Sequence, residues 1–158
     1  MKKSVLLKDL VEKLGFEIVY KSDDYDKIEI DINEVNRPGL QLSGFFDTFS
    51  YKRIQIIGLP EHEYYNKYLP FDERRNIFDK FFSYPIPALI YSYGINIPYE
   101  VYSLAKKHNR KILRVDYGTT KLISKLNVFL EFALSEEIRI HGGLLEVFGM
   151  GILIIGKS

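Results

Sequence analysis

The sequence predicts an α/β fold, a mostly parallel sheet flanked by helices, followed by a β-hairpin that begins a second unit. Three observations carry this prediction. From Gly44 to Ser135, apolar strand-like runs alternate with helical repeats, strand then helix, three times over. Parallel neighbours need such a crossover, and right-handed crossovers are expected. After Ser135 the grammar changes: Ile138 to Val147 and Gly151 to Ile155 read as two strands joined at Phe148-Gly149-Met150, with no helix between them. Finally, 158 residues at 46% hydrophobic, 15% aromatic and 27% charged can bury a core. The domain boundary falls near Ser135–Glu137, giving an amino-terminal α/β domain over 1–135 and a hairpin unit over 136–158.

The elements follow in order. Ser4 suits an N-cap, with Leu6, Leu7, Leu10, Val11 and Leu14 at helical spacing and Gly15 as the stop. Phe16 to Tyr20 alternates as a short strand. Ser22 to Lys27 is an acidic turn; its aspartates lack the spacing and downstream glutamate of an EF-hand, so it reads as a solvated turn and not a metal loop. Ile28, Ile30 and Ile32 alternate with Glu29 and Asp31 in a half-buried strand. Asn36-Arg37-Pro38-Gly39 is a turn signal ahead of a short segment, Leu40 to Phe46. Two readings of that turn stay open: a structural corner, or a place where Arg37 and the Gly39 backbone contact an anionic ligand or a neighbouring subunit.

Arg53 to Ile57 is a central strand ending at Gly58, and Pro60-Glu61 opens a helix to about Tyr68. His62 lies in that helix's first turn with no second metal ligand at i+3 or i+4, and reads as a surface residue. Pro70 breaks the helix, Asp72 suits the next cap, and Ile77, Phe78, Phe81 and Phe82 form an apolar core stripe. Pro87 to Tyr91 is a buried strand, Pro98 precedes a helix over Tyr99 to His108, and Ile112 to Val115 is the next strand. Thr119 or Thr120 suits the cap of a long helix carrying Leu122, Ile123, Leu126, Phe129, Leu130, Ala133 and Leu134.

Composition narrows the function classes. The net charge of +1, from 22 basic and 21 acidic residues, argues against a nucleic-acid surface built on bulk charge. The chain has no cysteine, so disulfides and thiolate metal sites are excluded. Its amino terminus leads into an amphipathic segment broken by Lys8, Asp9, Glu12 and Lys13, neither signal peptide nor membrane span. The expectation is a cytoplasmic setting with no membrane contact.

Gly151 to Ser158 formally satisfies the phosphate-loop pattern G-x-x-x-x-G-K-S/T. Such a loop turns backbone N–H groups toward phosphate and feeds a helix N-terminus. Here Ile152, Leu153, Ile154 and Ile155 occupy its interior, and an apolar, mostly β-branched run favours extended backbone. A complete small nucleotidase built on Gly151–Ser158 is therefore disfavoured. The better frame makes Ile152–Ile155 a buried strand and Gly156-Lys157-Ser158 the first three residues of a phosphate loop, with Lys157 at a variable position and not the catalytic lysine.

In that frame, His141-Gly142-x-Leu144-x-x-Val147-x-Gly149-x-Gly151-x-Leu153-Ile154-x-Gly156-x-Ser158 resembles the start of the kinase domain of the bacterial HPr kinase/phosphorylase family. Gly143 and Phe148 stand where the family has valine and tyrosine. Upstream, Asn36-Arg37-Pro38-Gly39-Leu40-Gln41-Leu42, Gly44, Arg53-Ile54-Gln55 and Gly58 match the same family's amino-terminal domain. The resemblance covers essentially the whole chain and implies an amino-terminal part cut inside the phosphate loop. It implies an amino-terminal domain similar to the substrate-binding domain of peptidoglycan-precursor ligases, then an incomplete catalytic domain over 136–158. It further implies a serine kinase and phosphorylase acting on HPr in carbon catabolite repression, using ATP or pyrophosphate with Mg²⁺, and assembling as hexamers. His141 matches an active-site histidine, and Gly156, Lys157 and Ser158 match the opening of the nucleotide-binding loop. No metal ligand lies in this chain, and ATP and Mg²⁺ are not expected to bind the fragment tightly. The alternative is a free-standing ligand-binding or interaction module without a kinase domain.

Overall fold

A computed structural model describes residues 3–135. The chain order is β1 (Val5–Leu6), α1 (Leu7–Leu14), β2 (Glu17–Tyr20), a 3₁₀ turn (Tyr25–Lys27), β3 (Glu29–Ile30), β4 (Val35–Asn36), α2 (Gly39–Leu42), β5 (Ile54–Ile57), α3 (Leu59–Tyr68), α4 (Phe71–Ser83), β6 (Leu89–Tyr91), α5 (Tyr99–His108), β7 (Ile112–Arg114) and α6 (Thr119–Ala133). The main sheet has the order β2-β7-β6-β5-β4. Strands β4 to β7 run parallel, and β2 adds an antiparallel edge to β7. The fold is thus α/β with a mixed, mostly parallel sheet flanked by helices. The predicted hairpin over 136–158 lies outside the described residues.

Side-chain alternation along the central strands feeds two cores. Ile54 and Ile56, Ala88 and Ile90, and Leu113 point to one face, where α1 supplies Leu7, Leu10 and Val11 and α6 supplies Leu122, Leu126, Phe129, Leu130 and Ala133. Ile57, Leu89 with Tyr91, and Ile112 point to the other, under Phe78, Phe81 and Phe82 of α4 and Val101, Leu104 and Ala105 of α5. Burial on both faces explains why β5 and β6 read as near-continuous apolar runs. The strands advance one place at a time from β4 to β7, and crossovers of one hand then put α3, α4 and α5 on one face. Only after β7 does the chain return across the opposite face, as α6.

The local expectations meet the structure unevenly. Gly15 ends α1 in the left-handed region at φ 70°, and its N–H reaches the Val11 carbonyl. Ser4 does not cap that helix: Val5–Leu6 pairs antiparallel with Glu29–Ile30, and the Ser4 hydroxyl donates to Glu29 at 2.7 Å. The expected strand from Ile28 to Ile32 is ladder-bonded only at Glu29–Ile30. Asp72 sits in the first turn of α4, behind Pro70 as the flanking residue. Gly118 precedes α6 and no side chain caps it, because the Thr119 hydroxyl is engaged elsewhere. His62 is half-buried: its ring lies 6.4 Å from those of Tyr65 and Tyr91, and its Nε2 lies 3.0 Å from Asn66 Nδ2 at an exposed position.

Candidate functional site

The carboxyl ends of β4, β5, β6 and β7 deliver Arg37, Gly58, Ser92-Tyr93-Gly94 and Asp116 to Thr119 to one edge of the sheet. Ligands of open α/β sheets bind at this edge. The loops are knitted by backbone: Ser92 N–H donates to Ile57 O at 3.1 Å, Tyr93 N–H to Tyr117 O at 2.8 Å and Gly94 N–H to Val115 O at 2.8 Å. Tyr93 is held at φ 57°, a left-handed conformation uncommon for an aromatic residue, and half of its surface is exposed.

Three polar contacts define the centre of this edge. The Arg37 guanidinium grips Glu61 through Nε at 2.9 Å and Nη2 at 3.0 Å. Glu61 in turn accepts the Gly58 N–H at 2.8 Å, three residues before it at the start of α3, which is the reciprocal half of a capping box. Ser92, fully buried, shares a 2.7 Å hydrogen bond with Thr119, 6% exposed, in the first turn of α6. Gly58 lies between these groups. A Cβ there would sit 2.3 Å from Thr119 Oγ1, 3.1 Å from Arg37 Nη2 and 3.3 Å from Ser92 Oγ. Its φ of −110° is ordinary, so glycine is required for space and not for angle.

Behind this centre, buried amides set the β4 corner. Gln55 is completely buried; its amide nitrogen donates to Ser50 O at 3.0 Å and Arg53 O at 2.8 Å, and its oxygen accepts Asn36 Nδ2 at 2.7 Å. Asn36 also lies 3.4 Å from Gln41 Oε1, and Gln41 Nε2 reaches Phe45 O at 3.3 Å. Every donor taken up here offsets a desolvation cost that an apolar pocket would leave uncompensated. The signature residues Asn36, Arg37, Gln41, Gln55 and Gly58, scattered over twenty-odd positions, therefore converge in space. The turn itself closes inward, with Gly39 N–H donating to Arg37 O at 2.9 Å.

Burial lowers the pKa of His62, countered in part by Glu63. Burial, reinforced by the hydrogen bond to Glu100, pushes the Tyr65 phenol far above its usual value, and burial does the same to Tyr91. The amino ends of α3 and α6 direct partial positive charge toward the same edge. Ser92 and Thr119 bond to each other with no histidine as base, and no group of three metal-ligating side chains occurs among the described residues. The arrangement is suited to holding and positioning the loops of this edge.

His141, Gly156, Lys157 and Ser158 lie outside the described residues. Arg37 and Gly39 lie within them, at the edge described. Sequence reasoning placed Glu61 and Thr119 only at helix starts, did not single out Ser92, and assigned none of the three to a site. Only Glu61 carried a signal, as an acidic residue three places after a glycine that opens a helix.

The family described as HPr serine kinase N terminus matches residues 5–130. HPr kinase/phosphorylase of Caldanaerobacter subterraneus subsp. tengcongensis is 41% identical over 154 residues, covering 98% of this chain and 50% of that protein. The protein of the same description from Alkaliphilus metalliredigens is 44% identical over 156 residues, covering 99% and 50%. The chain thus spans about half the length of the curated relatives it matches. Among solved structures, the CBS and DRTGG domains of the regulatory region of Clostridium perfringens pyrophosphatase, complexed with the activator diadenosine tetraphosphate, align with TM-score 0.54 over 82% of this chain and 50% of that one. At 17% identity that likeness is one of fold alone.

Proposed function

The chain belongs to the HPr kinase/phosphorylase family, matching its amino-terminal region, and on that premise we propose that it serves an enzyme that phosphorylates a serine of HPr. The donor is ATP or pyrophosphate with Mg²⁺, and inorganic phosphate reverses the reaction. The setting is carbon catabolite repression in the bacterial cytoplasm, with hexamers as the assembly. The observation that supports this reading is the family match over residues 5–130, with relatives 41% and 44% identical along the chain. In this reading 1–135 is a domain similar to the substrate-binding domain of peptidoglycan-precursor ligases, and 136–158 is the hairpin that starts the catalytic domain. His141 is the active-site histidine, and Gly156, Lys157 and Ser158 open the phosphate loop.

The loop lysine and the Mg²⁺-binding hydroxyl of a phosphate loop would follow Ser158 in this frame, so no step of phosphoryl transfer is assigned to residues of this chain. Charged hydrogen bonds contribute about 1.5–3 kcal/mol each, and loss of the ammonium alone weakens nucleotide binding at least about tenfold. Calorimetry of the 158-residue chain with Mg-ATP is expected to show no micromolar binding. Tight binding would restore Gly151–Ser158 as a working loop and overturn the strand frame.

A second reading, a free-standing ligand-binding or interaction module, is favoured by the gathering of four loops at the carboxyl edge. There Arg37, 40% exposed beyond its pair with Glu61, would meet an anionic ligand or a neighbouring subunit, while the Gly39 N–H is already taken up by the Arg37 carbonyl. The coding sequence after codon 158 separates the two readings: G-x-G-K-S-E following Ser158 supports the kinase, and a stop codon supports the module.

A further inference from the structure

We draw no further inference here: the strongest candidate, the carboxyl-edge cluster of Arg37, Glu61, Ser92 and Thr119 at the amino ends of α3 and α6, belongs to the site already described and carries no second observation that points to a ligand.

Discussion

At the scale of single residues, the tightest constraint is Gly58. The atom nearest to an added Cβ, Thr119 Oγ1 at 2.3 Å, belongs to a short, β-branched, buried side chain already bonded to Ser92. It has no flexible end to swing away. Gly58→Ala is therefore expected to destabilise by about 1–3 kcal/mol, the usual range for overpacking, read as a lower urea midpoint at unchanged slope. The cost should shrink in a Thr119→Ala background, because the two changes share one contact; strict additivity would place the strain elsewhere. Lys111 poses the opposite problem, a charge nearly out of water. Its side chain is 1% exposed and its ammonium lies 3.3 Å from Asp24, which also accepts the Ser22 hydroxyl at 2.7 Å. Burial lowers the Lys111 pKa against the pull of Asp24. Burial raises the Asp24 pKa, but the Ser22 hydroxyl and Lys111 outweigh it. Asp24→Asn leaves that ammonium without its counter-charge and is expected to cost about 1–3 kcal/mol. Lys111→Met removes charge and desolvation cost together, and should cost less. Equilibrium unfolding of both variants decides the point, and a larger loss for Lys111→Met would make the ion pair itself a net stabiliser.

At the scale of elements, α4 and α5 pack face to face and are clasped at one end by Asp79. Its carboxylate meets His108 Nε2 at 2.7 Å and Lys107 Nζ at 3.0 Å, in the last turn of α5, where cations also favour the helix dipole. The His108 hydrogen bond, then that of Lys107, holds the Asp79 carboxyl below its usual range. A depressed carboxyl stabilises the fold above its unfolded pKa of about 3.9 and loses that contribution as pH falls through the lower folded value. Asp79→Asn is thus expected to cost up to about 1 kcal/mol at neutral pH, given its exposure. The gap from the parent chain should close below about pH 4. Denaturant titrations at neutral and strongly acidic pH test this; a gap that persists at the acid end would mean the clasp acts by packing and not by charge. Long elements such as these were legible in sequence. The bounds of α5, Tyr99 to His108, follow from Pro98 and the helical repeat, and Pro70 separates α3 from α4. The two-residue strand β1 was not legible, since a pair of residues carries no periodicity; the alternation around Ile30 announced β3, but its short length is set by the tertiary pairing with β1. That pairing also draws Ser4 away from its expected cap.

At the scale of the whole molecule, the site was half legible for a related reason. Asn36, Arg37, Gln41, Gln55 and Gly58 stood out as a family signature. Ser92 and Thr119 are single hydroxyls whose meaning arises only when β6 and β7 lie side by side. The same topology bears on where the first domain ends. Both faces of the sheet are already covered by described elements, one by α1 and α6, the other by α4 and α5. The 15-residue α6 crosses the sheet from the carboxyl edge, and Lys3 Nζ donates to Ser135 O at 2.9 Å, joining the start of the domain to the end of that helix. A unit with its own two-sided core should fold alone. Residues 1–135 prepared without 136–158 are therefore expected to unfold in one cooperative transition, as domains of this size do. Their stability should lie within about 0.5 kcal/mol of the parent chain, the spread typical of changes outside a core. Coincident circular dichroism and tyrosine fluorescence curves would meet that expectation. A broad, probe-dependent transition, or a loss of several kcal/mol, would show that residues beyond Ser135 complete the core, and the boundary near Ser135–Glu137 would have to move.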